Sequence, residues 1–210
     1  MTLQEHEYAL IGGMNRAKIG RYLSLIAAFI SSVIVFILLT IVDLVQRFGI
    51  YGSLPPSLLS LVGAGTVFFV LYWLFDKYVW RWPRLNKFLK VPNLIGDWEC
   101  IGQTLNPDGT PSYSWNGTVT IIQSWDKLRV RLKTAQSGSN SITAALIWDE
   151  ADGYRLLYNY RNDPKIGETE LKSHLGFADL TFAKDCQSAE GGYFNGHGRF
   201  TFGTMQLRRK

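Results

Sequence analysis

The sequence predicts a chain in two parts: an α-helical transmembrane hairpin of two spans, then an all-β domain of about eight antiparallel strands closed into a small barrel. Three observations carry this reading. Two uncharged apolar runs, Tyr22 to Val42 and Ser57 to Phe75, fall in the first third of the chain. All of the net charge of +5 lies within residues 1–90, which leaves residues 91–210 neutral. Past residue 91 the apolar positions alternate in short segments broken by turn signals, a period of strands rather than of helices.

Each apolar run, at about 1.5 Å per residue, is long enough to cross a hydrocarbon core of about 30 Å. A cleaved signal peptide would carry a shorter apolar stretch and a small-residue cleavage site, whereas the first run continues to Asp43 and a second run follows. Arg16, Lys18 and Arg21 precede the first run, and Lys77, Arg81, Arg84, Lys87 and Lys90 follow the second. The connector holds only Arg47, offset by Asp43. Because Lys and Arg beside a span stay on the cytoplasmic side, both termini are expected in the cytoplasm of a bacterial cell, with a short outer loop between the spans. The expected divisions are a cytoplasmic segment over 1–21, the hairpin over 22–75, a basic and aromatic juxtamembrane linker over 76–90, and the β domain over 91–210. Pro55 and Pro56 suit the first turn of the second helix, where a missing N–H is harmless. Tyr72, Trp73, Tyr78, Trp80 and Trp82 form an aromatic belt at the inner interface. Neither span holds an ionisable side chain, which disfavours a transporter with a proton relay or charged pathway. Small residues at helical spacing, Ser24, Ala28 and Ser32 with Ser60 and Ala64, allow close helix approach within the hairpin or between subunits.

In the β domain the candidate strands are 96–105, 112–125, 127–135, 140–149, 153–162, 172–183, 190–196 and 199–209. Turns come from Asn106-Pro107-Asp108-Gly109, Ser137-Gly138-Ser139-Asn140 and Asp152-Gly153, and 163–171 is a longer loop. Tyr113, Trp115, Val119 and Ile121 share one parity, and Leu128, Val130 and Leu132 oppose Lys127, Arg129, Arg131 and Lys133. That cationic line reads as a solvated outer face or as a contact for anionic lipid headgroups. A nucleic-acid polymer is disfavoured as partner, since the domain is neutral. In the first strand Trp98 is followed on its own parity by the smaller Cys100, Gly102 and Thr104, which leaves room for a ligand unless facing strands fill it.

No reaction is legible. Cys100 and Cys186 are too few for a disulfide framework, and no zinc spacing, Walker loop or nucleophile elbow occurs. His174 and His197 stand apart from other ligating residues, and Asp149, Glu150 and Asp152 crowd a solvated turn. The expectation is a protein that is not an enzyme, with no metal and no cofactor. What does concentrate is a late set of polar and aromatic residues: Arg155, Tyr158, Asn159, Tyr160, Arg161 and Asn162, then Pro164, His174 and the run Gly191 to Arg199. Aromatic rings stack on bases and arginine forks hold phosphates, the two needs of a small nucleotide. The alternative is a hydrogen-bonded Tyr and Arg network that closes the barrel end, with Arg199 or Arg208 over Trp98.

Two spans, a short basic linker, the opening Val91-Pro92-Asn93-Leu94-Ile95-Gly96-Asp97-Trp98, and Tyr193, Asn195, Arg199 and Gly203 near the end resemble the two-transmembrane, β-strand-rich effectors associated with SMODS-type nucleotidyltransferases in bacterial CBASS anti-phage systems. The Gly96-x-Trp98 opening is also similar to the lipocalin signature, which implies a lipocalin-like barrel. The resemblance implies a cytoplasmic domain that binds a cyclic dinucleotide made by a cognate nucleotidyltransferase, forms a homo-oligomer and disrupts the inner membrane, so that the infected cell dies first. It points to Tyr160, Asn162, Pro164, His174, Gly176, Tyr193, Asn195 and Arg199. Thr104 and Trp115, from the early strands, complete the ligand-binding candidates. Two other readings stand beside it: a membrane-tethered lipocalin-like carrier of an apolar ligand, and a non-catalytic scaffold that recruits a partner through an edge strand.

Overall fold

The structure, a computed structural model, describes residues 5–49, 63–169, 171–196 and 198–210. The chain divides into two compact units, Met14–Trp80 and the pair of segments Met1–Gly13 and Arg81–Lys210.

In the first unit, α1 (Arg16–Arg47) runs for 32 residues, or about 48 Å. Asn15 caps it by accepting the Ala17 N–H at 2.8 Å. Its most apolar window has a mean hydropathy of 3.0, so it is one helix long and apolar enough to cross a membrane. The first predicted span lies inside it. The second predicted run begins outside the described residues, as do Pro55, Pro56 and Ser60; from Ala64 it is helical, as α2 (Ala64–Lys77). The two helices pack together. Of the two packings open to the small-residue face of α1, the one against α2 is not what the structure shows. Ala27 and Ser31 are buried in α1, whereas Ser24, Ala28 and Ser32 are exposed, with Ser24 and Ser32 hydroxyls donating to Gly20 and Ala28 carbonyls. One residue is about 100° of helix, enough to turn that stripe off the α1–α2 contact.

In the second unit, part of the segment expected as a linker is structured. A 3-10 turn at Val79–Arg81 begins in the helical unit, and α3 (Pro83–Leu89) follows, with Pro83 at its first turn and Lys90 in the left-handed region at its end. Leu89, Val91 and Leu94 are fully buried. Gln123 ties this approach to the sheet, accepting from Leu94 N at 3.0 Å and donating to Pro92 O at 3.2 Å.

The sheet has nine strands: β1 (His6–Ile11), β2 (Gly96–Leu105), β3 (Pro111–Gln123), β4 (Lys127–Thr134), β5 (Ser137–Asp149), β6 (Gly153–Pro164), β7 (His174–Phe182), β8 (Ser188–Asn195) and β9 (Phe202–Arg209). Their order, β1-β4-β3-β2-β9-β8-β7-β6-β5, closes on itself in a ring, with β4 also pairing β5. Eight strands match the expected number for residues 91–210. β1 was not expected, and it comes from the segment before the first helix. β4 and β5 pair directly beside their hairpin, through Arg131–Asn140, Leu132–Ser139 and Lys133–Gly138. Below that they part and β1 fills the seam, antiparallel to β4 at His6–Leu128 and parallel to β5 from Tyr8–Ala144 to Ile11–Ile147. Ser141 marks the fork: its hydroxyl accepts the Val130 N–H at 2.9 Å and lies 2.6 Å from His6 Nε2.

One end of the ring is a packed core. Trp98 meets Phe182 edge-on at 5.4 Å and donates its indole N–H to Leu94 O at 3.2 Å. The arginine over Trp98 is Arg209, at 5.2 Å, rather than Arg199 or Arg208, and it donates to the carbonyls of Asn93, Ile95 and Cys186. Gly203, Met205 and Leu207 point inward on β9, so Arg209 shares that parity and Arg208 faces out. Burial in this core pushes the Cys100 thiol up to about 12. Since only the thiolate is nucleophilic, iodoacetamide at pH 8 is expected to modify the half-buried Cys186 first and to reach Cys100 only on unfolding. Mass spectrometry of the alkylated protein reads this directly, and equal labelling of both thiols in the folded state would contradict it.

Candidate functional site

The other end of the ring is hollow, a cavity of about 310 Å³. That is the lower bound of the range typical of small-molecule pockets. Larger depressions of about 870 and 540 Å³ are bordered by outward residues such as Glu99 and Ile101, and neither gathers the aromatic and polar groups found here.

Seven sequence-predicted residues line this cavity: Trp115, Tyr160, Asn162, His174, Tyr193, Asn195 and Arg199. Thr104, the eighth, stands behind the wall, with its hydroxyl 2.7 Å from the Tyr193 hydroxyl. Pro164 ends β6 opposite Ser137 and is not part of the lining. Strand period sorts the β6 cluster: Tyr158, Tyr160 and Asn162 face in, whereas Arg155 and Arg161 face out, where they form ion pairs with Asp179 and Asp163.

Two glycines shape the aromatic walls. Gly102 pairs with Trp115 across β2–β3, and a Cβ there would lie 2.0 Å from the indole. Gly176 pairs with Tyr160 across β6–β7, and its Cβ would lie 2.3 Å from the phenol ring. The space that the small β2 residues were expected to leave for a ligand is therefore taken at Gly102 by the Trp115 ring. Trp115 meets Tyr193 edge-on at 5.7 Å and donates to its hydroxyl at 3.2 Å. The Tyr160 hydroxyl donates to Asn195 Oδ1 at 2.8 Å, and Asn195 Nδ2 donates to Thr201 Oγ1 at 2.8 Å. Arg199 lies in the loop between β8 and β9, not in the last strand as expected, and donates to the Tyr113 hydroxyl.

Burial pushes the Tyr158, Tyr160 and Tyr193 phenols up, so all three stay neutral in the physiological range. No carboxylate lines the cavity among the described residues, and Arg199 is its one permanent charge. The site can therefore accept an anion, with aromatic edges and faces around it. Among the described residues, no group of three or more His, Cys, Asp or Glu could hold a metal.

The sequence reading missed Ser137 and Ser139, which it assigned to a turn. They begin β5 and line the cavity. The turn lies earlier, where Thr134 Oγ1 accepts the Ser137 N–H at 3.1 Å. The alternating serines at 137, 139 and 141 were the available signal.

Comparison with known proteins matches residues 89–209 to the family described as "Cap15, cyclic dinucleotide receptor domain" and residues 17–81 to "Cap15, TM helices". Over 207 residues, 99% of this chain and 98% of the relative, the sequence is 47% identical to CD-NTase-associated protein 15 of Yersinia aleksiciae.

Proposed function

The chain belongs to the Cap15 family, and from that premise we propose that the hollow end of its ring is the receptor site through which a cyclic dinucleotide drives membrane disruption. It is a membrane-anchored CBASS effector, with a TM region and a cyclic dinucleotide receptor domain. The observation that carries the site is the convergence of Trp115, Tyr160 and Tyr193 with Arg199 in a cavity free of carboxylates among its described lining. In this reading the rings stack on bases, Arg199 holds a phosphate, and Thr104 and Asn195 fix the tyrosines. The ring of strands acts as a small lipocalin-like barrel, packed at one end and open to ligand at the other.

The two-span topology with both termini cytoplasmic draws support from β1. It precedes α1 yet pairs with β4 and β5, so the chain leaves the sheet unit and returns to it. If α1 crosses the bilayer, the return needs a second crossing, which the apolar run Ser57 to Phe75 can supply. A reporter fused after Lys210 should be active only in the cytoplasm. Periplasmic activity would sink this topology.

Homo-oligomer formation fits the exposed face Ser24, Ala28, Ser32, which the α1–α2 contact leaves open. Ala28→Leu should preserve ligand affinity and the fold, yet reduce ligand-induced crosslinked oligomers and leakage from vesicles, because close helix approach in lipid rests on packing. Unaltered oligomers and leakage would return that face to lipid.

Full-length protein in nanodiscs, titrated with a panel of cyclic dinucleotides and with fatty acids, tests the receptor reading. A cyclic dinucleotide should raise the melting temperature by mass action. Stabilisation by fatty acid alone would favour an apolar carrier. Arg199→Ala should weaken cyclic dinucleotide binding by about 1.5–3 kcal/mol, the loss of a charge-assisted contact. Unchanged affinity would leave Arg199 only its Tyr113 contact.

A further inference from the structure

The walls of the cavity differ in one respect: whether their hydrogen-bonding groups are already engaged. On one side Thr104, Tyr193 and Trp115 bond to one another, and Tyr160 is held through Asn195 to Thr201. Facing the same cavity, three polar side chains stand in a single cross-strand row, Ser139 opposite Asn162 on β5–β6 and Asn162 opposite His174 on β6–β7. They are 4%, 7% and 6% exposed. Among the described residues, the Ser139 hydroxyl, the Asn162 amide and His174 Nε2 have no hydrogen-bond partner. None of the three is a sealed-off buried atom, so each presents its unused bonding capacity to the cavity, where a ligand can take it up.

His174 has a defined polarity. Its Nδ1 lies 2.8 Å from the Lys172 carbonyl, which can only accept. Nδ1 therefore carries the proton, and in the neutral ring Nε2 is left as an acceptor. Its complement must carry an N–H or O–H. An ionised phosphodiester offers only acceptors and so does not complement the neutral ring. The neighbouring Asn162 amide donates and accepts, and Ser139 does either. An acceptor beside an amide complements a nucleobase edge, where an N–H adjoins a ring nitrogen or carbonyl.

We propose that the row Ser139, Asn162, His174 reads the base edge of the ligand and so sets which cyclic dinucleotide this receptor selects, while the aromatic wall supplies stacking that tolerates any base. This rests on the cavity being the cyclic dinucleotide site. Stacking alone discriminates weakly between bases. A site built to hydrogen-bond a group, by contrast, rejects an analogue that lacks it strongly, because its own buried groups would be left unpaired.

The test measures the affinity of the full-length protein in nanodiscs for cyclic di-AMP, cyclic di-GMP, cyclic di-UMP and their mixed counterparts. Wild-type protein that binds none of them would refute the receptor reading itself. Given a preferred ligand, Asn162→Leu and His174→Phe should each weaken it about 10- to 100-fold. They should weaken disfavoured ligands much less, so that the preference ratio collapses. His174→Gln, which restores an acceptor near the Nε2 position, should recover part of the preference. Ser139→Ala, the mildest change, keeps the question open to test if His174→Phe fails to fold, and should lower the ratio in the same direction. Variants that fold and lower every affinity by one common factor, or that keep the wild-type ratio, would overturn the proposal.

Discussion

Trp98→Ala should be the most destabilising single substitution in the sheet unit, costing about 3–5 kcal/mol. The indole is fully buried, packs edge-on against Phe182, donates to Leu94 O and lies beneath the Arg209 guanidinium. Its removal leaves a large void at the packed end and takes away the surface on which Arg209 rests. The carbonyls of Asn93, Ile95 and Cys186, which Arg209 now joins, would lose their common donor if that side chain moved. For a domain of this size the melting temperature should fall by on the order of 10–20 °C. Trp98→Phe retains most of the ring and loses mainly the indole hydrogen bond, so its effect should be several-fold smaller. Equal losses in the two variants would show that the hydrogen bond, not the packing, dominates.

The largest effect on ligand binding is expected from Gly176→Val. Any Cβ at Gly176 meets the Tyr160 ring at 2.3 Å, so the phenol must swing away from its bond to Asn195 and into the cavity. A cavity of about 310 Å³ has little room to lose. Cyclic dinucleotide affinity should fall by more than about 100-fold, close to 2.7 kcal/mol or beyond. Gly192→Ala is the control, since its Cβ would meet only the Gly203 carbonyl at an ordinary 3.5 Å. Calorimetry on both variants, with far-ultraviolet circular dichroism to confirm the fold, separates the two. Wild-type affinity in Gly176→Val would remove Tyr160 from the site.

Much of this was legible in the chain because it follows from local periods. A run without charge long enough for a bilayer marked α1, and alternation marked eight strands whose parity correctly sent Val119, Ile121, Leu128 and Val130 inward. Six of the eight candidate residues share one cavity because inward parity on β3, β6, β7 and β8 converges at one end of the ring, and Arg199 joins them from the β8–β9 loop. Composition carried the rest of that inference, as tyrosines, amides and an arginine late in the domain have little reason to gather except around a polar ligand or a polar network.

What local pattern could not hold is whatever depends on residues distant in sequence. His6 to Ile11 is six residues of weak alternation, and it is a strand only because β4 and β5 part and leave backbone groups to be paired. Arg209 rather than its neighbours caps Trp98, because the register of β9 against β2 fixes which side of the ring each residue takes. Helical spacing identified small residues on α1, yet the rotation that buries Ala27 and Ser31 instead of Ala28 is set by packing against α2. The serines of β5 looked like a turn, since Ser and Gly are turn formers by local chemistry; pairing with Asn162 and Asp163 makes them a strand and brings Ser139 into line with His174. Local period and composition were enough for most kinds of element and for the polar and aromatic character of the cavity lining. The face that each element presents, and the hydrogen-bonding groups left unpaired along the cavity, follow from the tertiary packing, because both depend on partners that no local window contains.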